Sequence, residues 1–563
     1  MSFLTEDVMR GTDWRAVERA VARIMSHCGW HSVRVVGSRG DGGGDVIGTR
    51  RQGSREQVFV VQVKAVTGAN YVGPAAIQEV LDAMNSYGGD VGVVATNGDF
   101  TDSAVTRKDR LRAAGFDIRL WNGKFLEELL GQFPEEHHEH RDLRSYQQDI
   151  VERCLERFVT GGTRAQFVVA TGLGKTVIAA GTLSHLYHDY GLKRCLVLCH
   201  SQPLALQLEQ SFWSQLGKSV PTRVFFEGSL PKPYEGVNFG LYQTFSNYLS
   251  GIHPDDYDVV IVDEAHHALA RGFRKCIYHL KPRLLVGMTA TPWRGDGANI
   301  DGIFGAPLAR VSLVDGMKMG YLAKADYRIY CDTIDWERVL EETGGRLTIR
   351  DLNKRLFVPQ RDEAVIEELL AQCKSVRNPR VIVFCASIEH CKRFAGLLTA
   401  SSGLVCKSLS GVDKIERNRT LMQFAAGKIQ AVTAVDVLNE GIDVPDVNVL
   451  VFLRATHSRR IFVQQMGRGL RLAPGKDKLL VLDFVTDVRR LAEVMQMDSD
   501  ARKPPKGYET LFFANGIVTF MNEGAVPFIQ QWLKDVADLG DAEEAQHLKF
   551  PLPYYEHQNT SRS

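Results

Sequence analysis

No apolar run in this sequence approaches the ~18–20 residues that a bilayer crossing requires, which excludes a membrane span. An excess of one charge is also missing. The 68 Lys and Arg against 67 Asp and Glu leave a net charge of +1, so a nucleic-acid partner would have to be held by local basic patches. Arg50, Arg51 and Arg55, the run Arg107–Arg112, and Lys503 with Lys506 are candidates, although such runs are commonly solvated helix faces. The 10 cysteines lack paired spacing. Cys195 and Cys199 come nearest to it, but they sit inside an apolar, strand-like run that argues against a metal there. A reducing, cytoplasmic setting is expected. The opening MSFLTEDVMR has no basic segment followed by an apolar core, so no secretory signal is expected.

What is present divides into blocks. At ~150 residues per domain, 563 residues make about three to four domains. Residues 1–131 alternate helix and strand patterns. Residues 132–142 hold Pro134 and the tract Glu135-Glu136-His137-His138-Glu139-His140. Histidine-rich tracts can bind metal, but a flexible, pH-sensitive linker is the expectation. From Leu143 to about Asp487, short β-rich runs (Phe167–Ala170, Cys195–Cys199, Val259–Val262, Leu284–Met288, Val381–Cys385, Val449–Leu453) precede helical segments. Such alternation predicts an α/β fold of parallel sheets with helices on both faces, here as two units, 143–315 and 316–488. Residues 489–563 carry apolar helical spacing at Val526, Phe528, Ile529, Trp532 and Leu533 and are expected to be a packing or accessory element.

The chemistry concentrates in a few strings. Ala170–Thr176 (ATGLGKT) is a glycine-rich turn after an apolar run, with helix formers behind it. Its backbone N–H groups would face phosphate oxygens, Lys175 would reach the β/γ-phosphates, and Thr176 would bind Mg²⁺. Thr171, Gly172 and Gly174 complete the cradle. Val169 stands where the strict phosphate-loop pattern asks for glycine. Asp263-Glu264-Ala265-His266 follows the apolar run Val259–Val262, so one carboxylate can hold Mg²⁺ and the other can polarise water. In Gln464-Gln465-Met466-Gly467-Arg468-Gly469-Leu470-Arg471, the arginines lie three apart and would share one face of a helix. An arginine from a second lobe stabilises transition-state charge only when the lobes close.

Residues 143–487 resemble the tandem RecA-like core of superfamily 2 DEAD/DEAH-box helicases and translocases. In that resemblance, Leu143–Gln147 is the glutamine motif, with Gln147 on adenine. Leu196–Gln207 is motif Ia, and Gln243-Thr244 is a further backbone contact. Thr289-Ala290-Thr291 is motif III and Val381–His390 is motif IV. Gly441-Ile442-Asp443-Val444-Pro445 is motif V, and Gln464–Arg471 is motif VI. The resemblance implies ATP and Mg²⁺ as cofactors. Asp263 would hold the metal with Thr176, Glu264 would orient water, Arg468 and Arg471 would act in catalysis, and His266 would link the nucleotide site to the second lobe. Gly441, Asp443 and Gln464 would join the nucleotide site.

The front block is quieter. Trp14, Val17, Val21, Ile24 and Cys28 recur at helical spacing, with Thr12 or Asp13 as the cap. The turn Gly40–Asp45 leads into Val46-Ile47, and then the strand Val58–Lys64 puts Gln62 and Lys64 on one face. An acidic residue beside a polar-x-Lys pair resembles the PD-(D/E)xK nuclease arrangement. With Val91–Thr101, it resembles the Mrr-type restriction endonuclease domain, so a restriction-endonuclease-like α/β fold is expected. Asp45 would bind Mg²⁺, Lys64 would position or deprotonate water, and Glu18 is the helix glutamate that would join the site. Neutral Gln62, where many relatives carry an acid, points to one metal rather than two. A nuclease fold kept only to bind DNA, or a solvated hairpin with an ordinary surface lysine, are the alternatives.

The expected function is therefore an ATP-dependent DNA helicase or translocase fused to a Mg²⁺-dependent endonuclease, of the kind used in restriction or anti-phage defence. Double-stranded DNA, foreign or modified, is the expected partner. Co-encoded defence proteins and an oligomer are compatible with it. A repair or remodelling helicase with a DNA-binding front domain is the other reading, and an RNA helicase is disfavoured.

Overall fold

The computed structural model describes residues 2–36, 44–52, 55–140, 142–226, 229–290, 300–330, 346–348, 362–412, 414–435, 446–453, 466–467, 469–484, 488–502, 517–521 and 547–549. Gly441, Asp443, Gln464 and Arg468 lie outside them, as do Thr291, Lys503, Lys506 and the spaced apolar residues 526–533.

The front domain is built on a five-stranded sheet. His31–Val35, Val46–Gln52 and Arg55–Lys64 run antiparallel, and then Val91–Thr96 and Asp117–Trp121 continue in parallel. Strand alternation separates two apolar faces. Val61 and Val63 pack with Val17, Val21 and Ile24 of the helix Trp14–His27. Val60 and Val94 pack with Ile77, Val80 and Met84 of the helix Ala75–Tyr87. Asp13 caps the first helix by accepting from Arg15 N and Ala16 N, which settles the start that Thr12 or Asp13 left open.

Behind it stand two seven-stranded sheets, parallel at every described pairing. In the first lobe, Leu284–Thr289 lies between Val259–Asp263 and Arg164–Val169. Parallel strands end on the same side, so Ala170–Thr176, Asp263 and Thr289 emerge together at the carboxyl edge. These strands are buried on both faces, and their sequences accordingly read as continuous apolar runs rather than alternating ones.

The second seven-stranded sheet takes its first strand in chain order from Lys324–Ile329, after the helix Leu313–Lys318. The tail contributes more than packing. Val518–Phe520 adds a parallel edge strand beside Lys324–Ile329. The helix Val488–Arg502 reaches back to the lobe boundary, where Lys318 Nζ donates to Asp500 O at 2.7 Å.

The connector after the front domain is the clearest departure from expectation. It is packed rather than flexible. His27 Nε2 meets Pro134 O at 3.0 Å, and His137 Nε2 meets Ser26 Oγ at 3.0 Å. Lys218 Nζ donates to Phe133 O at 2.6 Å, and Ser219 N donates to Glu135 Oε1 at 2.8 Å. Polar composition misleads here because buried polar groups are tolerated wherever partners are supplied. His137 is 4% exposed. Burial, with neighbouring His138, His27, Arg23 and His140, pushes its pKa down to about 3, which keeps the ring neutral.

The same helix that carries Glu18 also docks the front domain onto the first lobe. Arg19 pairs with Glu209 at 3.2 Å, with both side chains buried. Arg23 donates to Val220 O at 2.9 Å and Gly217 O at 3.1 Å, and its guanidinium lies 4.1 Å from the Phe3 ring centre. Trp213 of the first lobe is part of the front domain's core. All nine described cysteines are buried, and no helix among the described residues is long and apolar enough to cross a membrane.

Candidate functional site

The phosphate loop follows directly from its glycines. Gly174, at φ +79, is the residue before the helix Lys175–His188, a backbone region that side chains with a Cβ rarely occupy. Gly172, at φ +90, lies so close to the second lobe that an added Cβ would stand 2.5 Å from Gly467 O. Val169 needs no such freedom, because it is the last, fully buried residue of the preceding strand. The glycine missing from the strict pattern is therefore missing from a position that packs instead of turning.

Lys175 bridges two carboxylates. Its Nζ is 2.5 Å from Glu264 Oε1 and 3.3 Å from Asp263 Oδ1. Burial works to lower the lysine pKa, but Asp263 and Glu264 outweigh it and hold the ammonium above its usual value. Burial pushes Asp263 the other way, upward, and Lys175 opposes this. Asp263 Oδ1 accepts no hydrogen bond among the described residues. Two buried carboxylates against one ammonium suit a divalent cation, so the donor set fits Mg²⁺. Thr176 stands next to Lys175 at the helix start. Glu264 adopts φ 45, ψ 54, a left-handed conformation unusual for a residue with a side chain. Such strain clusters at functional sites.

His266 Nδ1 lies 3.0 Å from Thr289 Oγ1 and 3.4 Å from Glu264 Oε2. It thus ties Glu264 to the strand Leu284–Thr289, within the first lobe. Gln147 is occupied locally. Its Nε2 donates to Leu173 O at 2.9 Å and its Oε1 accepts from Arg144 N at 3.0 Å, which braces the loop. Tyr146 hydroxyl also donates to Leu173 O, and the Tyr146 ring meets Tyr321 at 5.2 Å. These two aromatics went unnoticed in the sequence; an aromatic beside the motif glutamine was the available signal. Arg471 leaves the helix expected to carry it. Its backbone bridges to Leu322, and Ala323 N donates to Leu470 O at 2.8 Å, so it sits at the lobe boundary beside the phosphate loop's neighbour Leu322. Lys476 Nζ holds this segment through Gly469 O at 2.5 Å and Arg471 O at 2.8 Å.

In the front domain, Asp45 Oδ2 accepts from Gln62 Nε2 at 2.5 Å and from Val63 N at 2.6 Å. Gln62 Oε1 is buried with no hydrogen-bond partner among the described residues. An orphaned amide oxygen beside a carboxylate fits a hard cation. Lys64 Nζ meets Glu79 Oε2 at 2.5 Å. Glu79 lies on the helix Ala75–Tyr87, the face toward which Gln62 and Lys64 project. Glu18 is buried on the helix covering the opposite face. Sequence reading missed Glu79 because a single acid on an amphipathic helix carries no distinguishing pattern.

Comparison with known proteins follows this division. Residues 9–130 match a restriction endonuclease family model of the Mrr catalytic type, 140–294 match the type III restriction enzyme res subunit, and 360–473 match the helicase conserved C-terminal domain. A Saccharomyces cerevisiae protein bearing the name of an ATP-dependent helicase, IRC3, is 25% identical over 61% of this chain and 51% of its own length. The Escherichia coli type I restriction enzyme EcoAI endonuclease subunit is 25% identical over 61% of this chain and 46% of its own. The chain thus spans about half the length of these curated relatives. The DNA-bound type ISP restriction-modification enzyme LlaBIII shares the fold, with TM-score 0.50 and 18% identity over 86% of this chain and 37% of that one.

Proposed function

We propose that this chain, a restriction endonuclease domain of Mrr type joined to a superfamily 2 helicase core, is a DNA-dependent ATPase that translocates on double-stranded DNA and cuts it, in restriction or anti-phage defence. The observation that carries the reading is the shared scaffold. One helix bears Glu18 within the endonuclease core and binds the motor through Arg19–Glu209 and the Arg23 carbonyl contacts. A nuclease built onto a motor lobe in this way is held near whatever DNA the motor engages, at high effective concentration.

In the motor, Lys175, Thr176 and Asp263 would hold the magnesium nucleotide, whose metal supplies neutralisation of phosphate charge. Lys175 leaves the carboxylates for the β/γ-phosphates, and this frees Glu264 to orient the attacking water. His266 holds Glu264 against Thr289. Arg471, with Arg468, completes the charge stabilisation from the second lobe, and this gates hydrolysis on lobe closure. In the front domain, Asp45 and Gln62 would hold Mg²⁺, which supplies polarisation of the scissile phosphate. Lys64 would position the water once released from Glu79. The expected substrate is foreign or modified DNA, and co-encoded defence proteins and an oligomer fit this role.

The test uses plasmid DNA with Mg²⁺, with and without ATP. Lys64→Ala should abolish cutting and spare ATP turnover, and Lys175→Ala should abolish DNA-stimulated ATP turnover. Full turnover by Lys175→Ala would refute the motor. The Lys64–Glu79 ion pair favours a second reading, a remodelling or repair helicase whose front domain only binds DNA. Wild-type protein that never cuts modified or unmodified DNA, while its ATPase responds to DNA, would establish it.

A further inference from the structure

His31 begins the first strand of the endonuclease sheet, whereas His138 and Glu139 belong to the connector. The fold brings these distant segments together. His31 Nδ1 is 3.1 Å from Glu139 Oε1, and His138 Nε2 is 3.7 Å from the same oxygen. One donor atom from each residue lies within 4.8 Å of the others. Tetrahedral zinc with ligands at ~2.0–2.2 Å places donor atoms about 3.3–3.5 Å apart, so the closer separations straddle the required value.

We propose that His31, His138 and Glu139 form a transition-metal site suited to Zn²⁺, which staples the edge of the endonuclease domain to the connector entering the motor. Imidazole nitrogens with a carboxylate are a donor set for zinc rather than magnesium. Three protein ligands leave a fourth position for water. All three residues reach solvent, with side chains 51%, 27% and 44% exposed for His31, His138 and Glu139, so an ion can enter.

The turn is shaped in advance. Buried His137 accepts from Glu139 N at Nδ1, at 3.0 Å, so its Nε2 carries the proton that faces Ser26 Oγ. The two bonds anchor the turn to the end of the helix Trp14–His27 and hold His138 and Glu139 on the side facing His31. The rings of His31 and His138 are already 5.7 Å apart between centres. Ordering entropy is thereby spent on folding rather than on metal capture. The site shares no residue with the Asp45 or Asp263 clusters, and it does not depend on either being active.

The test is a Zn²⁺ titration of the untagged full-length chain by calorimetry, in excess Mg²⁺ so that the hard-cation sites are filled. Wild type should bind one Zn²⁺, and Co²⁺ in its place should give the visible absorption of a four-coordinate ion. His31→Ala and His138→Ala should each weaken binding by at least about tenfold, and Glu139→Gln should weaken it with the least disturbance to folding. Metal-free melting midpoints provide the folding control. Zn²⁺ should raise the midpoint of wild type and leave that of the double histidine variant unmoved. Wild-type zinc affinity in the well-folded Glu139→Gln and His138→Ala proteins, or no zinc uptake by wild type, would overturn the proposal.

Discussion

The motor and the endonuclease domain each set a lysine against carboxylate, in opposite surroundings. Lys175 is 16% exposed, and its partners Asp263 and Glu264 are 2% and 11% exposed. Lys64 is 35% exposed and its partner Glu79 is 42% exposed. In the first lobe the cluster is dry, so the attraction is weakly screened and the lysine is held protonated. In the endonuclease domain the pair is half in water and is worth at most about 1 kcal/mol. On the proposed reading, the first is a closed arrangement that a nucleotide would open, and the second is a loose latch that metal and DNA would displace.

The largest test of that contrast removes the buried lysine. Lys175→Ala should lower DNA-stimulated ATP turnover by roughly a hundredfold or more, as expected for losing a preorganised charge contact to phosphate. Steady-state phosphate release checks it, and a tenfold effect or less would mean that the dry cluster is not the nucleotide site. Next comes the docking helix. Glu209→Gln strands the buried Arg19 charge and should cost about 3–5 kcal/mol in denaturant unfolding. Arg19→Met with Glu209→Leu should recover most of it, and equal losses in single and double variants would refute a paired interface.

Releasing the exposed latch should do less. Glu79→Gln frees Lys64 and should change the cutting rate by no more than about fivefold, matching an ion pair of ~1 kcal/mol. A loss as deep as that of Lys64→Ala would make Glu79 part of the chemistry instead of a counter-ion.

A separate, pH-dependent effect concerns Lys476, whose pKa burial pushes down to about 7, with Asp446 opposing and Arg471 assisting. The unfolded chain keeps this proton up to the ordinary 10.5, so it binds more proton than the folded chain across that window. Stability should therefore rise from about pH 7 toward 10.5 and be lost as pH falls back, by at most about 1.4 kcal/mol per pH unit. Lys476→Met should flatten that slope in urea melts. An unchanged slope would show that the lysine stays charged beneath the Gly469 and Arg471 carbonyls.

The motor was the more legible of the two regions. Its strands are buried on both faces and stand out as continuous apolar runs, and its glycine-rich turn and acidic pair are strings of neighbours in sequence. The placement of Gln62 and Lys64 was legible for a similar reason, since strand alternation alone sets them on one face. Glu79 was not, because nothing near it in sequence distinguishes it from other helix acids. Arg471 was misplaced on a helix face because spacing describes a helix that continues, and the chain instead bridges to Leu322. The connector looked flexible because composition cannot reveal that Ser26, His27 and Lys218 wait to receive its polar groups.

By itself, then, the sequence determined what depends on short-range chemistry: the glycine-rich turn before a helix, the acidic strand end and the alternation of the Val58–Lys64 strand. Tertiary structure alone decided the pairings across long separations, namely Lys64 with Glu79, Arg19 with Glu209, and His31 with His138 and Glu139. Such pairings depend on how helices and sheets dock, and docking is driven by apolar burial that does not specify which polar side chains will meet at its edges.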